Sequence, residues 1–217
     1  MPGTPHLVSD VMTHSVVAVG RDALFKDIVK LMEQWKVSAL PVLEGEGRVV
    51  GVVSEADLLP KEEFRDSDPD RRTQLRRMPD LAKAGALTAG DLMSSPAVTV
   101  HAGSTLAQAA RIMAQRKVKR LPVVNDENLL EGVVSRADLL KVFLRPDNDI
   151  ADEVRREVVD VLFPAPVEPV HIIVTEGVVT LTGKVQEPAL IPVAVRLVRA
   201  VEGVVDVDCH ISGTGQG

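Results

Sequence analysis

The sequence is poor in cysteine, in aromatic residues and in positive charge. Its one cysteine, Cys209, excludes an intramolecular disulfide and a thiolate zinc cluster. With one Trp, no Tyr and four Phe, few rings are present to stack on a base or a sugar, and the cores must be built from aliphatic side chains. The chain has 25 Lys and Arg residues against 31 Asp and Glu residues. This balance argues against a nucleic acid partner, because proteins that bind nucleic acids carry an excess of basic residues.

Long apolar runs are also absent. No stretch approaches the roughly 20 apolar residues that cross a bilayer, and the N-terminal residues lack the charged and apolar regions of a signal peptide. These patterns predict a cytoplasmic protein. A chain of 217 residues that is 45% hydrophobic can bury one or two cores.

Chemistry-bearing clusters are not recognisable in the sequence. The histidines lack the spacing of metal ligands, and no nucleophile with a base and no pair of carboxylates stands out. The five histidines are His6, His14, His101, His171 and His210. We therefore expect no catalytic residues, no metal and no required cofactor.

An internal repeat organises the first two thirds of the chain, at a constant offset of 81 residues, as from Met12 to Met93. Other matching pairs are Pro41 and Pro122, Gly51 and Gly132, Ser54 and Ser135, and Asp57 and Asp138. A repeat held at one offset predicts two copies of one supersecondary unit. Each copy is a strand, a helix, two strands around a turn, and a short helix beginning at the serine. We expect Asp22 and Ser104 to cap the two longer helices.

These repeats, each with its Gly-x-x-Ser-x-x-Asp motif, closely resemble CBS domains. The resemblance implies an α+β fold in which two β-α-β-β-α repeats pack about a pseudo-twofold axis as a Bateman module, with a ligand cleft on either side. The predicted boundaries are repeat 1 (7–60), a charged linker (61–88) and repeat 2 (89–146). The linker is rich in arginine and includes Arg71, Arg72, Arg76 and Arg77.

Each Ser-x-x-Asp motif is a candidate nucleotide site. A serine where a strand meets a helix presents its hydroxyl and free N–H groups to a phosphate, and the aspartate one turn later can accept both hydroxyls of a ribose. The resemblance adds the strand before the proline and the first strand of the other repeat. Cleft A then comprises Met12, Val16, Val17, Lys119, Arg120, Ser135 and Asp138. Cleft B, predicted to be the weaker, comprises Ser38, Ala39, Ser54, Asp57, Ser95, Ala97 and Val98.

The two clefts differ in predicted charge. Lys119 and Arg120 give cleft A the cations that a phosphate requires, whereas Ser38 and Ala39 occupy the equivalent positions of cleft B. The resemblance implies AMP, ADP, ATP or S-adenosylmethionine as the ligand, all of which present the same ribose. We expect the charged nucleotide in cleft A, and either no ligand or a less charged adenosyl sulfonium compound in cleft B. The structural alternative is that each serine only caps its helix and each aspartate favours the helix dipole.

The last third of the chain has a different pattern. A helix with apolar residues from Ile150 to Leu162 precedes a hairpin with a Glu176-Gly177 turn, a second helix and a last strand. Through the Gly177 to Gly183 run and Gly203, residues 149–212 resemble a BON domain, which implies an α-β-β-α-β fold. BON domains are associated with phospholipid or other hydrophobic ligands.

The sequence therefore predicts a non-enzymatic regulatory or sensor protein. An adenine nucleotide or adenosyl ligand would bind between the repeats and signal through conformation or dimerisation to an unknown protein partner. The resemblance implies a homodimer formed through the CBS repeats. The alternative is a lipid- or protein-binding scaffold that acts through the BON-like domain, with the CBS repeats serving dimerisation. Membrane lipid is the less favoured partner, and sedimentation with anionic liposomes separates the two hypotheses.

Overall fold

The computed structural model describes residues 6–63 and 78–213. Two compact units make up the chain, one spanning Leu7–Arg136 and the other running from Ala137 onward together with His6. The division falls at Arg136, inside the segment that the sequence assigns to the second repeat. The four linker arginines, Arg71, Arg72, Arg76 and Arg77, lie outside the described residues.

The first repeat folds in the predicted order, with one additional short helix ahead of the first strand. Its elements are α1 (Val8–Val11), β1 (Val19–Gly20), α2 (Phe25–Trp35), β2 (Ala39–Glu44), β3 (Arg48–Ser54), α3 (Glu55–Leu58) and α4 (Pro60–Glu63). Strand β2 is central, parallel to β1 and antiparallel to β3. A linker helix, α5 (Met78–Gly85), follows.

The second repeat copies this arrangement. Its elements are α6 (Ala89–Leu92), β4 (Val100–His101), α7 (Leu106–Arg116), β5 (Arg120–Val124), β6 (Leu130–Ser135) and α8 (Arg136–Leu140). Its sheet has the order β4-β5-β6, again with one parallel and one antiparallel pair. The predicted repeat of strand, helix, two strands and helix is confirmed in both copies.

The predicted caps of the longer helices were wrong by one or two residues. Helix α2 is preceded by Leu24 instead of Asp22, and helix α7 by Thr105 instead of Ser104. The reason is that Leu24 and Thr105 are each held extended by a β-bridge to a distant residue: Leu24 to Thr88, at the end of the linker, and Thr105 to Leu7 of repeat 1. A helix cannot begin until that extended residue has passed.

Reciprocal β-bridges show the pseudo-twofold relation between the repeats. Thr13 exchanges backbone hydrogen bonds of 2.9 and 3.0 Å with Val133, and Ser94 exchanges bonds of 2.9 and 3.1 Å with Val52. These pairs are related by the repeat offset. Each repeat therefore adds a short extended segment to the sheet of the other, beside the strand that carries the Ser-x-x-Asp motif.

The core of the first repeat is aliphatic, as the shortage of aromatic residues requires. Helix α2 contributes the fully buried Ile28, and Ala89 and Leu92 of helix α6 pack into the same cluster. Each large side chain so buried contributes roughly 1.5–3 kcal/mol. The buried members of the cluster are Val19, Ile28, Met32, Leu40, Val42, Val53, Ala86, Ala89 and Leu92.

The C-terminal unit has the predicted α-β-β-α-β order. Its elements are α9 (Asp147–Val154), a π-helical turn (Arg155–Val159), α10 (Asp160–Leu162), β7 (Glu168–Thr175), β8 (Val178–Val185), α11 (Ile191–Ala200) and β9 (Asp206–Gly213). Strand β8 is central, antiparallel to β7 and parallel to β9. The buried core of this unit includes Val154, Val179, Leu181, Ala194 and Val198.

The turn between β7 and β8 explains the first glycine of the BON-like motif. Glu176 and Gly177 both have positive φ angles, of 51° and 74°, and a Cβ atom on Gly177 would lie 2.8 Å from the Gly203 carbonyl oxygen. The backbone N–H groups of both turn residues donate to the Asp147 carboxylate at 2.9 Å. Gly177 is therefore explained by backbone geometry.

Within the described ranges, no helix combines the length and the apolar composition that a bilayer crossing requires.

Candidate functional site

The Ser-x-x-Asp motif of repeat 1 lies where strand β3 passes into helix α3. Ser54 is extended, with φ −127° and ψ 165°, and the helix begins at the next residue. Both the backbone N–H and the hydroxyl of Ser54 donate to Oδ2 of Asp57, at 2.8 and 2.7 Å. Asp57 is a buried charged residue, with 8% of its surface exposed. The carboxylate is therefore fixed in orientation by the start of its own helix.

The second partner of Asp57 is Lys83, a residue that the sequence gave no reason to select. Lys83 lies in the linker helix α5, and its Nζ forms an ion pair with Oδ1 of Asp57. The two side chains are 21% and 10% exposed, so solvent screens this pair less than it screens a surface pair.

A cavity of about 290 Å³ opens beside this motif, close to the lower end of the range of small-molecule sites. Its lining residues are Ser38, Ala39, Val52, Ser54, Glu55, Ala56, Asp57, Ser94, Pro96, Ala97, Val98, Lys117, Val118, Lys119 and Arg120. Six of the seven residues predicted for cleft B are thus brought together, and we keep the name cleft B for this cavity. Ser95 is the exception, because its hydroxyl donates to the Val50 carbonyl at 3.0 Å.

Cleft B carries the cations that the sequence analysis assigned to cleft A. Lys119 and Arg120 line it, as does Lys117, which the sequence analysis missed. Nη2 of the half-buried Arg120 donates to the Ser38 hydroxyl at 2.6 Å. The expectation that cleft B lacks a cation is therefore wrong.

The position of the pseudo-twofold axis explains this correction. Arg120 corresponds to Ala39 in the repeat, so its contact with Ser38 joins two almost equivalent positions. Residues that meet their own counterparts lie close to the axis, where side chains from one repeat reach the cleft of the other. The sequence shows which repeat a residue belongs to, but it does not show on which side of the axis the side chain lies.

The remaining residues predicted for cleft A are placed as follows. The Met12 side chain packs on Gly132 of strand β6, at whose end Ser135 lies. Val16 and Val17 are half-buried just ahead of strand β1. Asp138 lies in helix α8 and pairs with Lys141 at 2.8 Å. Their roles in binding remain predictions.

Cleft B is lined by both aliphatic and charged side chains. Val52, Ala97, Val98 and Val118 supply aliphatic surface, which suits the face of a base in a protein without aromatic residues at this site. Three cations face a smaller number of carboxylates, of which Asp57 is already paired. Such a site can hold a ligand that is flat and apolar at one end and anionic at the other.

Residues 6–63 and 78–213 contain no group of three or more His, Cys, Asp or Glu side chains that could hold a metal ion.

Comparison with known protein families identifies both parts of the chain. The CBS domain matches residues 8–61 and 89–145, and the BON domain matches residues 146–215. CBS domains are regulatory and not catalytic, in agreement with the prediction of a non-enzymatic protein.

Two curated proteins are similar to nearly two thirds of this chain. "Uncharacterized protein MJ1426" of Methanocaldococcus jannaschii is 29% identical over 154 residues, which cover 64% of this chain and 91% of that protein. The chloroplastic CBS domain-containing protein CBSX2 of Arabidopsis thaliana is 29% identical over 153 residues, covering 64% of each protein. The chain thus spans less than two thirds of the length of this plant relative.

Solved structures agree with the fold. The crystal structure of CBSX2 in complex with AMP superposes with a TM-score of 0.57 at 30% identity, covering 64% of this chain and 97% of that one. The CBS domain pair of protein MJ0100 superposes with a TM-score of 0.52 at 17% identity, covering 64% and 97%, and shows a shared fold. Because the CBS matches cover half of the chain and the BON domain matches residues 146–215, this chain belongs to the CBS-domain family, as a CBS pair followed by a BON domain.

Proposed function

We propose that this chain is a regulatory protein that binds an adenine nucleotide in cleft B and transmits its occupancy to a partner. The observation that carries this proposal is the meeting, in one cavity, of Ser54 and Asp57 from repeat 1 with Lys119 and Arg120 from repeat 2. A ligand held by both sets would cross-link the repeats, and its binding free energy would stabilise one relative position of the two.

The charges of cleft B favour a phosphorylated ligand. Asp57 is suited to the ribose hydroxyls, the aliphatic side chains to the base, and Lys117, Lys119 and Arg120 to a phosphate. A sulfonium compound such as S-adenosylmethionine would bring positive charge to a cleft that is already cationic. The binding of AMP by CBSX2 supports the same choice, because that protein is 30% identical over the superposed region.

The experiment is isothermal titration of the full chain with AMP, adenosine and S-adenosylmethionine. We expect AMP to bind more tightly than the other two, because only AMP presents both the ribose and the phosphate. An Asp57→Asn variant keeps the shape of the side chain but removes the charge, and should weaken AMP binding about tenfold, as expected for charge-assisted hydrogen bonds of about 1.5 kcal/mol.

Two controls make this result specific. Asp138→Asn changes the equivalent residue of repeat 2, and Asp126→Asn changes a fully exposed aspartate. Loss of binding in Asp57→Asn, with no change in Asp126→Asn, would support cleft B. Loss in Asp138→Asn alone would move the site to cleft A, and the absence of AMP binding by the unchanged protein would refute the proposal.

We also propose that the protein is a homodimer. Helix α2 exposes Val29 and Trp35, at 42% and 56%, and Leu59 just after helix α3 is 64% exposed. Large apolar side chains at this exposure favour burial against another surface. A second copy is consistent with this site, because the neighbouring groove carries both Glu33 and Lys36 and can therefore pair charges with itself.

The BON domain supports a second candidate function, a lipid- or protein-binding scaffold. Ile173 and Val205 of this unit are each 61% exposed, which an apolar ligand or partner could cover. Flotation of the full chain with anionic liposomes tests the lipid form of this candidate. We expect no co-flotation, because the formal net charge of −6 is repelled by an anionic surface; co-flotation that persists at high salt would favour the scaffold.

A further inference from the structure

We propose that Lys83 makes an autoinhibitory contact with Asp57 of cleft B: it competes with the ribose of a bound nucleotide for this carboxylate, so that binding releases the linker helix α5. This inference rests on the proposed function and assigns its regulation. It makes the linker, and not only the paired repeats, the element that responds to the ligand.

The acceptor capacity of Asp57 is the first argument. A carboxylate offers about four lone-pair sites, and three are engaged by the Ser54 N–H, the Ser54 hydroxyl and Lys83 Nζ. A ribose donates two hydroxyl hydrogens. The Ser54 N–H belongs to the start of helix α3 and cannot leave without unwinding it, so the side chains of Ser54 and Lys83 are the partners that can be exchanged.

Burial is the second argument. The Asp57 side chain is only 10% exposed with Lys83 against Oδ1, although Asp57 lines the cavity. A ribose whose two hydroxyl groups contact both carboxylate oxygens would cover more of the Asp57 side chain than is exposed. Lys83 is 21% exposed on its own side, and its flexible four-carbon stem allows its ammonium group to move into solvent.

Helix α5 is held to repeat 1 by lysine side chains. Besides Lys83, Nζ of Lys61 donates to the carbonyls of Ala84 and Ala86 at 3.1 and 2.9 Å, at the end of this helix. The same ammonium group lies 5.1 Å from the centre of the Phe25 ring. When Lys83 leaves Asp57, helix α5 loses its ion pair with repeat 1 but keeps the hydrogen bonds from Lys61 at its C-terminal end. We therefore expect helix α5 to loosen and not to leave the domain.

The counterpart of Asp57 in the second repeat has a lysine partner that is close to it in the chain. Asp138, the counterpart of Asp57, is paired with Lys141 three residues later, and that lysine is 56% exposed. A pair made within three residues ties no distant segment of the chain. These two ion pairs therefore differ: that of Asp57 joins repeat 1 to the linker helix α5, and that of Asp138 with Lys141 is local.

The coupling is reciprocal. If Lys83 weakens AMP binding by some factor, AMP must weaken the Lys83 contact by the same factor. Lys83→Met keeps the aliphatic stem and removes the charge, so it should lower the Kd for AMP by about fivefold, at the low end of known couplings between sites. Lys83→Gln, which keeps a hydrogen-bond donor without the charge, should lower it by a smaller factor.

The test combines calorimetric titration with AMP and amide hydrogen exchange of residues 82–86 in the full chain. In the unchanged protein we expect AMP to speed exchange in this segment. In Lys83→Met the exchange should already be fast without AMP and should rise no further with it. Lys30→Met serves as a control, because it removes an exposed ion pair on helix α2, with Asp27, and should change neither measurement.

The outcomes separate this inference from the proposed function. If the unchanged protein does not bind AMP, the proposed function fails and the inference fails with it. If AMP binds but Lys83→Met has an equal or higher Kd, or if AMP slows exchange at residues 82–86, the inference alone is overturned. In that case Lys83 holds the carboxylate in place for the ligand or contacts the ligand itself. Urea unfolding of both Lys83 variants confirms that they are folded.

Discussion

Replacing Arg120 by methionine separates recognition of a phosphate from recognition of a nucleoside. Arg120 is half-buried at the pseudo-twofold axis, and its guanidinium group donates to the Ser38 hydroxyl while lining cleft B. Methionine keeps most of the apolar stem but carries no charge. The variant should therefore lose affinity for AMP and keep its affinity for adenosine.

The size of the effect follows from the position of Arg120. A hydrogen bond to a charged group contributes about 1.5–3 kcal/mol. The low end applies here because Lys117 and Lys119 also line the cleft and because Arg120 shares its donors with Ser38. About 1.5 kcal/mol corresponds to a tenfold increase in the Kd for AMP. Loss of the bond to Ser38 should also lower the free energy of unfolding by about 1 kcal/mol.

The assay is calorimetric titration of AMP and adenosine into the unchanged protein, Arg120→Met and Arg116→Met. Arg116 is an exposed arginine at the end of helix α7 and provides the matched control. We expect the Kd for AMP to rise tenfold in Arg120→Met and the Kd for adenosine to change by less than about twofold. Equal losses for both ligands would show that Arg120 shapes the cavity and does not bind phosphate, and equal affinities of the unchanged protein for AMP and adenosine would remove phosphate recognition from cleft B.

Three further predictions test the fold and the assembly. Gly132→Ala should cost about 1–3 kcal/mol in urea unfolding, because the new Cβ would lie 3.0 Å from the Thr13 carbonyl oxygen; an unchanged midpoint would contradict the close approach of the repeats. Asp147→Ala should cost about 1–3 kcal/mol in the C-terminal unit, since two N–H groups of the hairpin turn lose their acceptors, Oδ1 and Oδ2, and Asp147→Asn, which keeps one acceptor oxygen, should recover only part of this loss. Trp35→Glu should convert a dimer to a monomer in light scattering, whereas a monomeric unchanged protein would refute the dimer.

The internal repeat, at its offset of 81 residues, was the sequence pattern that predicted the fold best. It identified Ser54 and Asp57 as the end of one repeat and the start of a helix, because a strand followed by a serine cap has a local signature. The same reasoning recovered the hairpin turn at Gly177, where positive φ angles require a glycine. These features depend on residues close to one another in the chain.

Features that depend on the packing of distant segments were missed or misplaced. The helix caps were predicted one or two residues too early because Leu24 and Thr105 form β-bridges with residues that are distant in the chain. Arg120 was not predicted to line cleft B, because no local pattern shows that its side chain reaches Ser38 of the other repeat. Lys83 was missed because a charged linker has no periodicity that relates one of its lysines to Asp57.

The exchanged segments around Thr13 and Ser94 bear on how the first unit can come apart. One edge strand of each sheet is paired with a segment of the other repeat. A single repeat produced alone would therefore expose an unpaired strand edge, which can associate with another chain. Two fragments cut within the linker should instead find each other and rebuild both sheets. We therefore expect the CBS pair to fold as one cooperative unit and to be reconstituted from its two halves.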